Sequence, residues 1–141
     1  MSDQLHLEIV TPEKTILNEF VDSVTLPGIE GEMGILTEHI PLLTIVDSGI
    51  LTYTVNEIIH SIAVHWGYAQ VEGNSVRILA EIAESPSEID LERAKEAEKK
   101  ARNKIIPNGK IADLEGEENR QIKYERKLKR SVVRQRLAKT V

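Results

Sequence analysis

Residues 85–105 read SPSEIDLERAKEAEKKARNKI, and within them the hydrophobic period of the chain changes. Ser87 stands where a helix N-cap is wanted, with Glu88 and Asp90 in the first turn, where negative charge suits the positive end of a helix. Leu91, Ala94, Ala97, Ala101 and Ile105 then recur at helical spacing. The residues Pro107, Asn108 and Gly109 are predicted to stop the helix, since proline and glycine both break it. A period near 3.6 begins here, so the stretch before it must be judged by a different rule.

Working back towards the N-terminus, the period is two. LHLEIVT places Leu5, Leu7 and Ile9 on one side of an extended strand and His6, Glu8 and Val10 on the other. Short runs rich in β-branched residues follow: FVDSVTL, LLTIV, GILTYTV, IHSIAVHWGYAQV and SVRILAEI. Turn signals separate them, at Pro12, Pro27-Gly28, Asp47-Ser48-Gly49, Asn56-Glu57 and Gly73-Asn74. Many short strands at that spacing predict a sandwich or barrel of antiparallel strands.

Working forward, a second helix is expected from about Asp113, running through Tyr124, Leu128, Val132, Val133 and Leu137. Two helices joined by a short turn make an αα-hairpin. The first offers mostly alanine, so little apolar area is buried at about 0.8 kcal/mol per CH₂. Such a hairpin docks weakly and can move.

The formal net charge of −5 conceals two halves of opposite sign. Residues 1–87 hold two Lys and Arg against 13 Asp and Glu, a net −11, and residues 88–141 hold 16 against 10, a net +6. That step predicts two domains, 1–87 and 88–141, facing different partners. The acidic half would repel nucleic acid. With no cysteine there is no disulfide framework, thiolate nucleophile or cysteine-based zinc site. The N-terminus does not read as a signal peptide, and no run of about 18 apolar residues would span a membrane.

Residues 28–43, GIEGEMGILTEHIPLL, are dense in glycine, but Glu30 and Glu32 lie between the glycines and no lysine occurs between Lys14 and Arg77. A phosphate cradle needs positive charge and a following helix. Gly28, Gly31 and Gly34 are therefore expected to serve tight turns that present glutamates to a partner. His6, His39, His60 and His65 show no metal-ligand spacing, and His6 and His60 are expected to face solvent or be satisfied by neighbours. No nucleophile elbow or triad pattern is present. Residues 120–139 carry nine Lys and Arg against one Glu. Such a helix suits an acidic protein surface first, a solvated face second and nucleic acid third, since Tyr124 is its lone aromatic.

The stretches LPGIEGEMGILTEHIPLLT, GYAQVEGNSVRILAE and IDLERAKEAEKKA, in that order behind an acidic β-domain, resemble the epsilon subunit of bacterial and chloroplast F-type ATP synthases over essentially the whole chain. The resemblance implies an α+β protein: an N-terminal antiparallel β-sandwich followed by a C-terminal α-helical hairpin. It implies a rotor subunit of the central stalk that is not an enzyme by itself and that couples proton translocation to ATP synthesis. The β-domain would bind the gamma subunit and rest on the ring of c subunits, with Glu32 and His39 at that ring. The hairpin would inhibit ATP hydrolysis when extended into the alpha/beta catalytic head, its basic helix meeting the beta subunit through Lys123, Arg126, Lys127, Arg130 and Arg134. The site would be the cytoplasmic face of the bacterial plasma membrane, reached only through the complex. No cofactor or metal is required. A regulatory ATP is implied by the I-D-x-x-R-A motif, here Ile89, Asp90, Arg93 and Ala94, with Glu84, Arg126 and Arg130 as further contacts. Lys100 stands where the family has an arginine, and lysine lacks the planar fork of a guanidinium. The bland reading of the motif is a helix start. The rival reading of the whole is a stand-alone module whose basic helix grips nucleic acid or another anion.

Overall fold

In a computed structural model the chain is described over residues 4–104 and 114–139. The predicted break at 107–109, Ile105 and the start of the second helix at Asp113 lie outside those residues. The chain divides into two compact units, Met1–Pro86 and Ser87–Val141.

The first unit contains eight strands: β1 (Leu5–Val10), β2 (Thr15–Val21), β3 (Ser23–Gly28), β4 (Gly31–Ile35), β5 (Leu42–Val46), β6 (Gly49–Val55), β7 (Ile58–Glu72) and β8 (Ser75–Glu84). Their order is β2-β1-β8-β7-β5-β3-β4, with β6 pairing β3 and β7. This continuous hydrogen bonding folds over into a sandwich because β7 serves both layers. It pairs β6 from Ile58 to Val64 and β5 from Gly67 to Val71. Between those spans Trp66 takes a φ of 50°, in the left-handed region. The core is the period-two set of the sequence: Leu5, Leu7 and Ile9 of β1, Leu51 of β6, Val64 and Ala69 of β7, and Val76 and Ile78 of β8 are all fully or almost fully buried. Tyr53 completes it, and burial, then the negative charge of Glu19, pushes its phenol above the ordinary value.

Three details depart from the sequence expectations. The sheet is mixed, because β1 runs parallel to β8 while its other neighbour, β2, is antiparallel. The run FVDSVTL is split at Asp22 between two strands, and β2 starts five residues before it, at Thr15. Part of the glycine-dense stretch is itself a strand, β4. There Gly31 takes a φ of 128° that side chains avoid, whereas Gly34 lies in open space with an ordinary φ and needs no special permission. The expected turns at Asn56-Glu57 and Gly73-Asn74 are present. Asn56 and Glu57 have φ of 49° and 67°, which matches a type I′ hairpin.

The second unit pairs α1 (Leu91–Lys104) with α2 (Leu114–Lys139). The cap of α1 falls at Asp90 rather than Ser87. Its Oδ1 accepts the Arg93 N–H at 3.1 Å and its carbonyl accepts the Ala94 N–H at 3.0 Å. A one-turn 3-10 helix, Pro86–Glu88, occupies the residues before it. Ala94, Ala101, Ser131, Val133 and Leu137 are buried. Gln135 Nε2 donates to Glu98 Oε2 at 2.7 Å, which aligns α1 with the later part of α2.

The closest packing in the sheet lies at Gly67, where a Cβ would sit 1.8 Å from the Leu79 carbonyl oxygen. Gly67→Ala is therefore expected to lose about 3 kcal/mol or more, since the clash is with backbone and cannot be relieved by a rotamer. Urea unfolding at fixed pH checks it. A loss under about 1 kcal/mol would mean that the two strands separate easily.

Candidate functional site

The outer face of the β1-β8-β7-β5 layer is sorted into rows by strand register. Val10 pairs with Leu79, Leu79 with Tyr68, and Tyr68 with Ile45, so these four residues share one face and lie in one line across four strands. Tyr68 is 57% exposed, and Leu79 and Ile45 are nearly half exposed. The next row is polar, with Glu8, Arg77 and Gln70, until it reaches Leu43, which is 71% exposed. Arg77 and Glu8 form an ion pair at 3.4 Å there. Beside the apolar row a groove of about 360 Å³ lies between the Thr11-Pro12 turn and Tyr68 and Leu79, with Gly67 among its lining. An aligned apolar row with a polar flank and an adjoining groove marks a protein-binding face more than a solvated one.

Glu32 lies on β4 opposite Pro27 and is exposed. His39 lies in the segment after β4, where its Nδ1 donates to the Ile40 carbonyl at 2.7 Å. That segment is tied to the β7–β8 turn, since the Glu38 N–H donates to Asn74 Oδ1 at 2.9 Å and Glu38 holds a φ of 61°. Ile29, Leu36 and Ile40 are exposed around it, so the presented surface is apolar as well as acidic.

His65 was not singled out by its spacing, yet it is fully buried. Ser48, in the β5–β6 turn, has its Oγ 2.7 Å from Nδ1, and Glu84 Oε1 lies 3.3 Å from Nε2. The Glu84 carboxylate stands at ion-pair distance from Nε2, and the hydrogen bond of the trio is the one between Ser48 Oγ and Nδ1. The order Ser-His-Glu is that of a hydrolytic triad, but the serine is buried and neither cavity described here is lined by any of the three. A nucleophile that substrate cannot reach is a structural pin at the bend of β7. Period-two patterning could not reveal it, because the contact depends on β8 passing beside that bend. His6 meets Asn18 and His60 stacks on Tyr53, as satisfied histidines should. Among the described residues no cluster could hold a metal ion.

In the helical unit Arg93, Ala97, Lys100 and Ala101 of α1 face Tyr124, Lys127, Arg130 and Arg134 of α2 across a groove of about 420 Å³. Among the described residues two alanines and five cations line it, and no carboxylate does. Of the nucleotide residues expected from the motif, Arg93 and Arg130 line this groove. Ile89, Asp90, Ala94 and Arg126 do not, and Glu84 belongs to the β-unit beside His65. Of the expected basic contacts, Lys127, Arg130 and Arg134 line it, whereas Lys123 and Arg126 are exposed elsewhere on α2.

A family described as ATP synthase, Delta/Epsilon chain, beta-sandwich domain matches residues 4–86. The ATP synthase epsilon chain of Geotalea uraniireducens is 39% identical over 141 residues, covering 98% of this chain and 96% of the relative. The chain belongs to the ATP synthase epsilon family. The epsilon chain of Carboxydothermus hydrogenoformans is 50% identical over 105 residues, 74% of this chain and 78% of that one. Among solved structures, a chain of the Euglena gracilis mitochondrial ATP synthase, described as OSCP/F1/c-ring, superposes with a TM-score of 0.77 at 26% identity over 92% of this chain and 78% of its own. An epsilon chain is a non-catalytic subunit, which agrees with a Ser-His-Glu trio that is closed to substrate. No helix among the described residues is long and apolar enough to cross a membrane.

If the trio is a pin, Ser48→Ala should cost about 1–3 kcal/mol through the unpaired buried histidine nitrogen. The purified chain should show the same background ester hydrolysis before and after the change. Turnover that disappears with Ser48 would make the trio a catalytic site.

Proposed function

We propose that this chain is the non-catalytic rotor subunit that couples ion flow through the membrane ring to the catalytic head of an F-type ATP synthase, and that its helical unit restrains ATP hydrolysis. The observation that carries the reading is the exposed row Val10, Leu79, Tyr68 and Ile45 on a chain of this family. A rotor subunit transmits torque only if it grips a partner, and an aligned apolar row supplies the buried centre of such a grip. The gamma subunit is its partner there. Glu32 and the segment around His39 meet the ring of c subunits, where the net negative charge of this unit suits basic groups. The complex sits on the cytoplasmic face of the bacterial plasma membrane, and the chain reaches that membrane only through it.

Restraint of hydrolysis follows from the composition of the helical unit. The buried side chains of α1 are alanines, which contribute little area beside Val133 and Leu137 of α2, so the unit is held weakly and is free to change partners. Lys127, Arg130 and Arg134 suit an acidic surface of the head. The same three cations line the groove, where a regulatory ATP would engage them together with Arg93. One set of charges cannot serve both anions, so nucleotide binding and inhibition exclude each other.

Reconstitution with the catalytic head and gamma subunit tests the assignment. Full-length chain is expected to slow ATP hydrolysis, and a chain ending at Ser87 to bind without slowing it. Equal inhibition by both would remove the hairpin brake. Leu79→Asp should weaken binding by about thirtyfold, the scale of losing a buried interface anchor. For nucleotide, ATP is titrated into wild type and Arg93→Ala, and equal affinities would remove Arg93 from the site.

A further inference from the structure

We infer, from the reading that residues 36–41 meet the ring of c subunits, that Asn74 is a positioning residue of that contact. Asn74 belongs to a different hairpin, and through one hydrogen bond its side chain holds the segment in the shape that is presented.

The segment fills the gap between Ile35, where β4 ends, and Leu42, where β5 begins. Both ends are fixed by register, Ile35 opposite Val24 and Leu42 opposite Val71. Between them Glu38 takes a φ of 61°, a region that glutamate avoids because its Cβ crowds the following carbonyl. The Glu38 N–H donates to Asn74 Oδ1 at 2.9 Å and so holds this conformation, as an asparagine does when it stands in for a backbone acceptor. On either side of that point Leu36 and Ile40 are 65% and 75% exposed, and the His39 Nδ1–H is engaged by the Ile40 carbonyl. Two large apolar side chains with an acid between them suit a surface that offers apolar clefts beside basic groups.

Asn74 can serve as a fixed acceptor because three strands locate it. Gly73, with a φ of 58°, and Asn74 form the turn between Glu72 and Ser75, which face each other at the end of the β7–β8 ladder. The Asn74 carbonyl accepts the His6 N–H at 2.7 Å, which fastens the turn to β1, and His6 stands opposite Ser75 in the parallel pairing. β5 brings the segment within reach, since Leu42 pairs with Val71 just before the turn. Asn74 is itself exposed, so its side chain can be replaced without opening the core. Tyr68 and Leu79, of the row assigned to the gamma subunit, lie four residues further along the same two strands, about 13 Å away at the strand rise. The two contacts can therefore be altered separately.

The test measures two affinities of the full chain: for the gamma subunit, and, as the complex with gamma, for purified c ring in lipid nanodiscs. Asn74→Ala is expected to weaken the ring affinity about fivefold, the scale of one net hydrogen bond, with the gamma affinity and the urea midpoint unchanged. Asn74→Asp keeps an oxygen acceptor and should stay within about twofold of wild type. In the free chain the Glu38 amide should exchange with solvent about fivefold faster in Asn74→Ala, as followed by NMR. Ile40→Asp, within the segment itself, should weaken the ring affinity about tenfold. An unchanged ring affinity in Ile40→Asp would overturn the ring reading and the role of Asn74 with it. A loss in Ile40→Asp with none in Asn74→Ala would overturn the role of Asn74 and leave the ring reading intact. So would an unchanged Glu38 amide, a loss of gamma affinity as large as that of ring affinity, or a ring loss that Asn74→Asp shares, since each removes the acceptor oxygen as the cause.

Discussion

The β-unit depends on one close approach. At Gly67 the backbone of β7 comes against the Leu79 carbonyl so tightly that even a methyl group is excluded. Just before it, Trp66 turns into the left-handed region and β7 passes from the layer of β6 to the layer of β5 and β8. A single strand thus joins the two layers, and the hydrogen bonding need not be broken at the corner. The apolar row also depends on this approach, because Tyr68 and Leu79 are register partners immediately beyond it. The bend creates the space that Ser48, His65 and Glu84 fill, so the buried polar pin is a consequence of the corner.

Charge divides the molecule as firmly as packing does. The β-unit holds almost no cations, and its glutamates lie on turns and outer strand faces where a basic partner can reach them. The helical unit gathers cations from two helices onto one groove, while the buried side chains that α1 contributes are alanines. Low apolar burial and high charge density belong together here. An element that exchanged partners, as proposed for this unit, would bury little apolar surface in any one of them and leave long-range electrostatics to select among them.

The alternation in LHLEIVT and SVRILAEI translated directly into the buried positions of β1 and β8, because a strand half-buried on a sheet has no other way to hide its apolar side. The helix at residues 91–104 was equally legible from its alanine spacing. Less legible were β4, whose glycines weaken any strand signal, and the cap at Asp90, since Ser87, Glu88 and Asp90 are all good residues near a helix start. The parallel pairing of β1 with β8 was invisible, because alternation is the same for parallel and antiparallel neighbours.

The residues alone determined the two-part organisation, the opposite charges of the parts and the core of the β-unit, which follow from local periodicity and composition, and the family resemblance, which rests on the motif stretches. Tertiary structure decided which of many cations share one groove. Arg93 and Arg134 are 41 positions apart in the chain and share a groove, whereas Arg126, in the same basic run as Arg130, does not line it. It decided in the same way that Val10, Ile45, Tyr68 and Leu79 form one row and that His65 is buried between Ser48 and Glu84. The physical reason is that period reports which side of an element a residue occupies, and only pairing register and helix packing report which other element that side meets.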